Sequence, residues 1–478
     1  MFVSLWLLLA CVPDNPARES TPAADSEDSG SVVPDSADSA DSGVDTGDTG
    51  EAADTGDSVP PIDPPDTGEL WVVEPLHFAG HVYYAGDPHA HTGFSADGSA
   101  EDAELCPTCG RFDGVFEFAQ GMGLSWVALS DHTNGAQTGT YEGIAEQLAA
   151  VAAANDVAHG FLTVPAAELW FMDGEGDLGH KTLLMLGEPA DLATLSLDDL
   201  QPVGTDSSEV SGCNDIWRWA ERLQAKVGPL VLIPHHTAAE KPMPTRWSCA
   251  SESWQPAVEV YSEHGNSLGD DYDPQWAGTH EDGTVASALD PEGYNLRMGF
   301  IAGTDSHDTL PGEVCGVDRV RDTHPYGGGL TIAVMPEGTP ILPQTLLGAI
   351  STRSTYGTSG PIVAMDVSWE SGGAPLAGLG EEFTAPAGAD LELHVRVAPP
   401  YDANVTAVEG VSPGVRFAAS QMETGHWTLV FAPGTAPAWV YPVVTLDGEA
   451  IYGSSGCDDG GSSTTEFLWG SPNWIARG

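Results

Sequence analysis

Lysine is almost missing from this chain: only Lys181, Lys226 and Lys241 occur in 478 residues, and Lys and Arg together number 15 against 71 Asp and Glu. The formal net charge is −56. A surface of that sign repels phosphate backbones and anionic lipid headgroups, which excludes nucleic acid as a partner and adsorption to acidic membranes. Long apolar runs are missing too. Met1–Ala10 is the most apolar stretch, and ten residues fall short of the roughly 20 that a membrane-spanning helix needs. Aromatic residues are absent from 12–70, which holds 16 carboxylates against Arg18 alone and repeats such as DTGDTG. With so little apolar surface to offset the entropy of ordering, this stretch reads as a disordered, self-repelling tether. Without it the formal charge is still −41.

The short apolar run ending in Leu8, Leu9, Ala10 and Cys11 resembles a bacterial lipoprotein signal, although no Lys or Arg precedes it. It implies export to a cell envelope, either anchored through an acylated Cys11 or released to the periplasm or medium after an ordinary signal. Any membrane association would rest on that anchor. The other six cysteines, Cys106, Cys109, Cys213, Cys249, Cys315 and Cys457, suit an exported chain with up to three disulfides whose pairing stays open.

About 400 residues remain, enough for a large domain and a smaller one. What organises them is DPHAHTGFSADG at 87–98, directly after the apolar run His81–Ala85. Side chains two apart on a strand share a face, so His89 and His91 point at one place, with Asp97 close behind. Imidazoles converging with a carboxylate are what a divalent transition metal requires. The pattern has partners downstream: LSDH with Asp131 and His132, AAEL with Glu168, GHKTLLML with His180, LIPHH with His235 and His236, VYSEHG with His264, and GTDSH with Asp305 and His307. Between them lie helical spacings at Val115–Gly123, Tyr141–Val157 and Asp215–Val227. Ligand-type residues at successive strand ends lead to an α/β fold of barrel type, because such barrels keep their chemistry there.

In this order, DPHAHTGFSAD, LSDH, AAEL, LIPHH and GTDSH resemble the metal motifs of the PHP (polymerase and histidinol phosphatase) superfamily over about residues 80–358. AISTRSTYGTSGP at 349–361 and LWGSPNWI at 468–475 resemble a branch that includes carbaryl-hydrolase-like metallohydrolases. The resemblance implies a distorted seven-stranded (β/α) barrel binding two or three divalent ions, zinc, manganese or iron. Carried over by position, His89, His91, Glu168 and Asp305 would hold one ion. Glu168 would bridge to a second, held with His180 and with His235 in preference to His236. Asp97, His132 and His307 would hold the third; a His often stands in the family where this chain has Asp97.

Asp87, Asp131 and Glu259 read as carboxylates that orient imidazoles through the far ring nitrogen. His77, His81, His159, His280, His324, His394 and His426 stand outside every motif and read as surface or packing residues. From about 359 onward, short alternating stretches such as LELHVRVAP, divided by Gly, Pro and Asp, predict a small β-sandwich-like domain. The expected activity is metal-dependent hydrolysis of a small-molecule substrate, first a phosphate ester. Arg353 would contact the oxyanion, and His236 and His264 would protonate the leaving group. A carbamate, ester or amide hydrolase uses the same chemistry, and a non-catalytic metal-binding surface lipoprotein is the third reading.

Overall fold

Strands carry this fold, as the computed structural model of the chain shows. It describes residues 74–92, 112–133, 160–173, 176–187, 197–200, 209–210, 212–240, 244–269, 278–307, 310–314, 326–452 and 465–478, with single residues 95, 148, 151, 192, 195 and 275. The signal and tether segments, Asp97 and most of 141–157 lie outside the described residues.

The ten-residue strand His81–Ala90 pairs in parallel with Trp126–Leu129, which pairs in parallel with Leu162–Asp173. There the sheet changes sense. Leu162–Asp173 pairs antiparallel with Gly176–Met185, and that strand antiparallel with Leu230–Pro234. On its other side His81–Ala90 pairs antiparallel with Leu330–Pro336, which continues antiparallel to Thr355–Thr358. Ala257–Ser262 and Gly299–Ala302 pair in parallel, but in a separate three-stranded sheet.

The expected seven-stranded (β/α) barrel is therefore corrected. Among the described residues the sheets form no closed barrel, and only the helices Phe112–Gly121, Cys213–Val227 and Pro343–Ser351 reach nine residues. One physical reason lies in chain length. Only Gly174 and Glu175 separate the strand bearing Glu168 from the strand bearing His180. A parallel return needs a crossover of a dozen or more residues, so these two strands can meet only as a hairpin.

The longest helix shows how the sequence makes its element. Ile216, Trp219, Ala220, Leu223 and Val227 are its buried residues, spaced as one face of a 3.6-residue period. The helix stops at Gly228, whose φ of 81° suits glycine. Its apolar face shares a cluster with Leu230 and Leu232, so it covers the strand that leads to His235. Cys213 at its start is bonded to Cys249; the other five cysteines lie outside the described residues. Among the described residues no helix is long and apolar enough to cross a membrane.

Among its described residues the C-terminal region is all strand with short helical turns, and part of it extends the large sheet. Trp439–Asp447 and Thr465–Gly470 join the large sheet through Thr355–Thr358. A five-stranded sheet follows the order Ala374–Gly378, Met365–Ser371, Leu391–Val397, His426–Phe431, Ser420–Glu423. One apolar cluster holds Tyr83, Val127 and Leu129 from the first half together with Trp369, Leu393 and Val440 from the second. Sequence alternation marks the strands without saying which sheet each one joins. Packing here is tight: Trp369 is fully buried, and truncating such a side chain to Ala costs about 3–5 kcal/mol.

Candidate metal centre

Backbone pairing brings the motifs together. His89 and His91 stand at the end of His81–Ala90; His91 N–H donates to Ser306 O (2.8 Å) and Asp305 N–H to His89 O (2.8 Å). An isolated parallel bridge pairs His132 with Glu168. Glu168 lies mid-strand rather than at a strand end, and His180 comes from the antiparallel neighbour, where it pairs with Trp170. His235 and His236 follow Leu230–Pro234 directly.

Four groups of donor atoms result, each within 4.8 Å of one another and able to hold a metal ion: His89, His91, Glu168 and Asp305; Glu168, His180, His235 and His236; His91, His132 and His307; His264, Asp305 and His307. Glu168 belongs to two of them, as does Asp305. All of these residues are buried, none more than 8 % exposed. His235 and His236 both reach the second group, so the preference for His235 alone is not needed. His264 enters as a neighbour of Asp305, its Nε2 3.2 Å from Oδ2.

Hydrogen bonds decide which nitrogens face inward. Glu259 Oε2 lies 3.1 Å from His89 Nδ1; a carboxylate can only accept, so His89 carries its proton on Nδ1. Ser95 Oγ donates to Asp131 Oδ1 (2.8 Å) and therefore accepts from His91 Nδ1 (2.9 Å). Both rings thus turn an Nε2 lone pair inward. His89 Nε2 stands 3.3 Å from His91 Nε2, 3.4 Å from Glu168 Oε2 and 3.2 Å from Asp305 Oδ1. His91 Nε2 is 3.0 Å from the same Glu168 oxygen and 3.3 Å from the same Asp305 oxygen. Four acceptors converge with no proton of their own to share, an arrangement that a cation relieves. The residues present fit a divalent ion.

The electrostatics follow. Burial opposes charge on Glu168 and Asp305, yet His132 and His235 hold Glu168 well below the carboxylate range, and His89 and His264 do the same for Asp305. Burial also pushes His89 down, but Asp305 and Glu259 outweigh it and raise it well above the ordinary range. His91 is carried up to about 10 against its burial by Asp305 and Glu168. Without a cation, protons on these two rings take its place. His235 is lowered to about 3 by burial and by His89, and His236 is lowered by burial and by His235, His180 and His264. His180 Nδ1 lies 2.5 Å from Glu168 Oε1 and His235 Nε2 3.1 Å from it. His180 Nε2 and His236 Nδ1 are buried without a hydrogen-bond partner.

The supporting residues differ in part from the sequence reading. Glu259 orients His89 directly, and burial pushes it up to about 7. Asp131 acts on His91 only through Ser95, and it also accepts from Thr92 N–H (2.7 Å). Asp87 orients no imidazole. It accepts from the backbone N–H groups of His89, Thr304 and Gly312 and from Thr304 Oγ1, clamping the His89 turn to the Asp305 loop. Gly303 must be glycine, because a Cβ there would lie 2.8 Å from both His89 Cβ and Glu259 Oε2. Asp305 and His236 hold positive φ values of 56° and 31°, backbone strain of the kind that collects at functional sites. Sequence reasoning missed Ser95, Thr182 (3.1 Å from His235 Nδ1) and Thr304; hydroxyl residues are too common for spacing to single them out.

Arg353 is not brought to the histidines. Its Nε donates to Gly380 O (3.0 Å), its Nη2 meets Glu382 (3.1 Å), and the guanidinium lies 4.9 Å over the Trp474 ring. Asp97, expected beside His132 and His307, lies outside the described residues. Comparison of the chain with family models, with curated proteins and with solved structures finds no match.

Proposed function

We propose that this chain is a metal-dependent hydrolase holding two or three divalent ions, with phosphate esters as its first substrate class. One observation carries the reading: His89 Nε2, His91 Nε2, Glu168 and Asp305 turn four acceptors on one point. Motifs that resemble those of the PHP superfamily supply these residues and support the same reaction class. When bound, clustered divalent ions acidify water and polarise the substrate's oxygen. The chain's residues supply the rest. Glu168, shared between two groups of donors, sets the spacing within the centre. His236, buried with an Nδ1 that no protein group occupies, can serve as a further donor beside Glu168, His180 and His235. His264, oriented by Asp305, can pass a proton to the leaving oxygen. Mixed imidazole and carboxylate donors suit zinc, iron or manganese.

A carbamate, ester or amide hydrolase is the second reading, and one observation favours it: Arg353 is engaged by Gly380, Glu382 and Trp474, so it leaves a phosphoryl group without the expected guanidinium. Turnover of p-nitrophenyl phosphate against a naphthyl carbamate by the metal-loaded chain decides. Phosphate hydrolysis is expected; carbamate turnover alone moves the assignment to the second class, and no turnover with metal bound leaves a metal-binding protein without catalysis.

A further inference from the structure

A second convergence of histidines lies on the five-stranded C-terminal sheet. Leu391–Val397 alternates strictly: Leu391, Leu393, Val395 and Val397 are buried, while Glu392, His394 and Arg396 share the other face. His394 stands directly opposite Thr428 on the neighbouring strand, with His426 on the diagonal. His394 Nδ1 is 3.0 Å from His426 Nε2 and 3.1 Å from Thr428 Oγ1. The far nitrogens face carboxylates. His394 Nε2 is 3.5 Å from Glu392 Oε2 and 3.8 Å from Glu370 Oε2, and His426 Nδ1 is 3.9 Å from Glu423 Oε1. His394 Nε2 is buried without a hydrogen-bond partner. A cavity of about 660 Å³ opens over the pair, rimmed by Phe417 and by Met422, which is 66 % exposed.

We propose that His394 and His426 form a further metal site that takes up one divalent ion of the zinc or copper type, with Thr428 Oγ1 or water completing the donors. In the tautomers that place N–H on His394 Nε2 and His426 Nδ1, on the sides of Glu392 and Glu423, a lone pair stands on each of the two nitrogens that face one another. Two such lone pairs need a proton or a cation between them. Two imidazole nitrogens bound to one ion at roughly 2.0–2.1 Å, at angles of about 90–110°, stand about 2.9–3.4 Å apart, and the observed 3.0 Å falls in that range. A carboxylate stands beyond each ring, at 3.5 Å from His394 and 3.9 Å from His426, placed to close on the far N–H once an ion is held. Strand pairing sets the two rings beside each other before any ion arrives, because cross-strand neighbours are held by the sheet itself. Unlike the buried centre, these rings are partly exposed, at 15 % and 25 % of the side chain, so the ion exchanges with solution. This site stands whether or not the hydrolase reading does.

Calorimetric titration of the full chain, carrying its resident buried ions, with Zn(II) tests the proposal. One further equivalent is expected, with affinity reduced about tenfold or more in both His394→Ala and His426→Ala, and with the buried metal content of each variant unchanged. His394→Asn and His426→Asn, which keep a polar group on the sheet face, serve if alanine unfolds the chain. Absence of the further equivalent in the unaltered chain overturns the proposal, as does undiminished uptake by the variants; the pair is then a plain N–H···N hydrogen bond.

Discussion

Glu259 Oε2 stands 3.1 Å from Nδ1 of His89, and this contact between two strands of different sheets decides which nitrogen of His89 faces Glu168 and Asp305. Removing its charge leaves every ligand in place but loosens the tautomer. Glu259→Gln is expected to weaken metal binding about 10- to 100-fold, as for other residues that orient ligand histidines, with little change in the number of ions bound at saturation. Competition against a chromogenic chelator measures it; an unchanged affinity would show that His89 needs no orienting partner.

Glu168 belongs to two groups of donors, so its loss should reach further than that of a residue serving one. Glu168→Gln is expected to lower metal content by more than one ion per chain and to reduce hydrolysis by roughly a thousandfold, the scale on which metal-assisted chemistry is lost. His77→Ala, at a half-exposed position beside Glu337, should alter neither. Full metal content and rate in Glu168→Gln would remove the bridging role.

Protons and metal should compete. In the cation-free chain His89 and His91 are both raised above the ordinary imidazole range, so at neutral pH each carries a proton that an incoming ion must displace. Metal uptake near pH 7 is expected to release about two protons from these rings, and affinity should fall as pH falls. Calorimetry in buffers of different ionisation enthalpy counts them; uptake without proton release would show that His89 and His91 do not carry the extra proton in the cation-free chain.

Lys181 is buried beside the Phe171 ring, with Nζ donating to Leu178 O, and burial lowers it from 10.5 to about 7. The unfolded chain therefore binds more protons than the folded one between these values. Stability should rise with pH across about 7 to 10.5, by at most about 1.4 kcal/mol per unit from this group, and stay at its lower level below pH 7. Lys181→Met should remove that component, which urea unfolding at pH 7 and pH 10 can measure. Equal slopes in variant and parent would place the amine's titration elsewhere.

Local spacing made much of the centre legible. His89 with His91 was readable because residues two apart leave a strand end on the same side, and the paired histidines of LIPHH because an apolar run delivers whatever follows it to the sheet's rim; Asp305 and His307 share a donor group although both lie past Ala302, in a loop where Asp305 has a φ of 56°. The helix Cys213–Val227 was readable because its period is internal. These properties need only a few neighbouring residues, so the chain by itself determines them. Which strands meet, and in which direction, is a contest among distant segments whose alternation looks alike. Tertiary structure therefore decided that the strand bearing His180 pairs antiparallel with Leu230–Pro234 on its far side rather than standing as a barrel stave. It also decided that Asp87 clamps backbone instead of an imidazole, that Arg353 turns to Glu382 and Trp474, and that His394 meets His426 across 32 residues of sequence. Each depends on sheet register, and register is settled by burial of whole faces against one another, a long-range energy that no short motif contains.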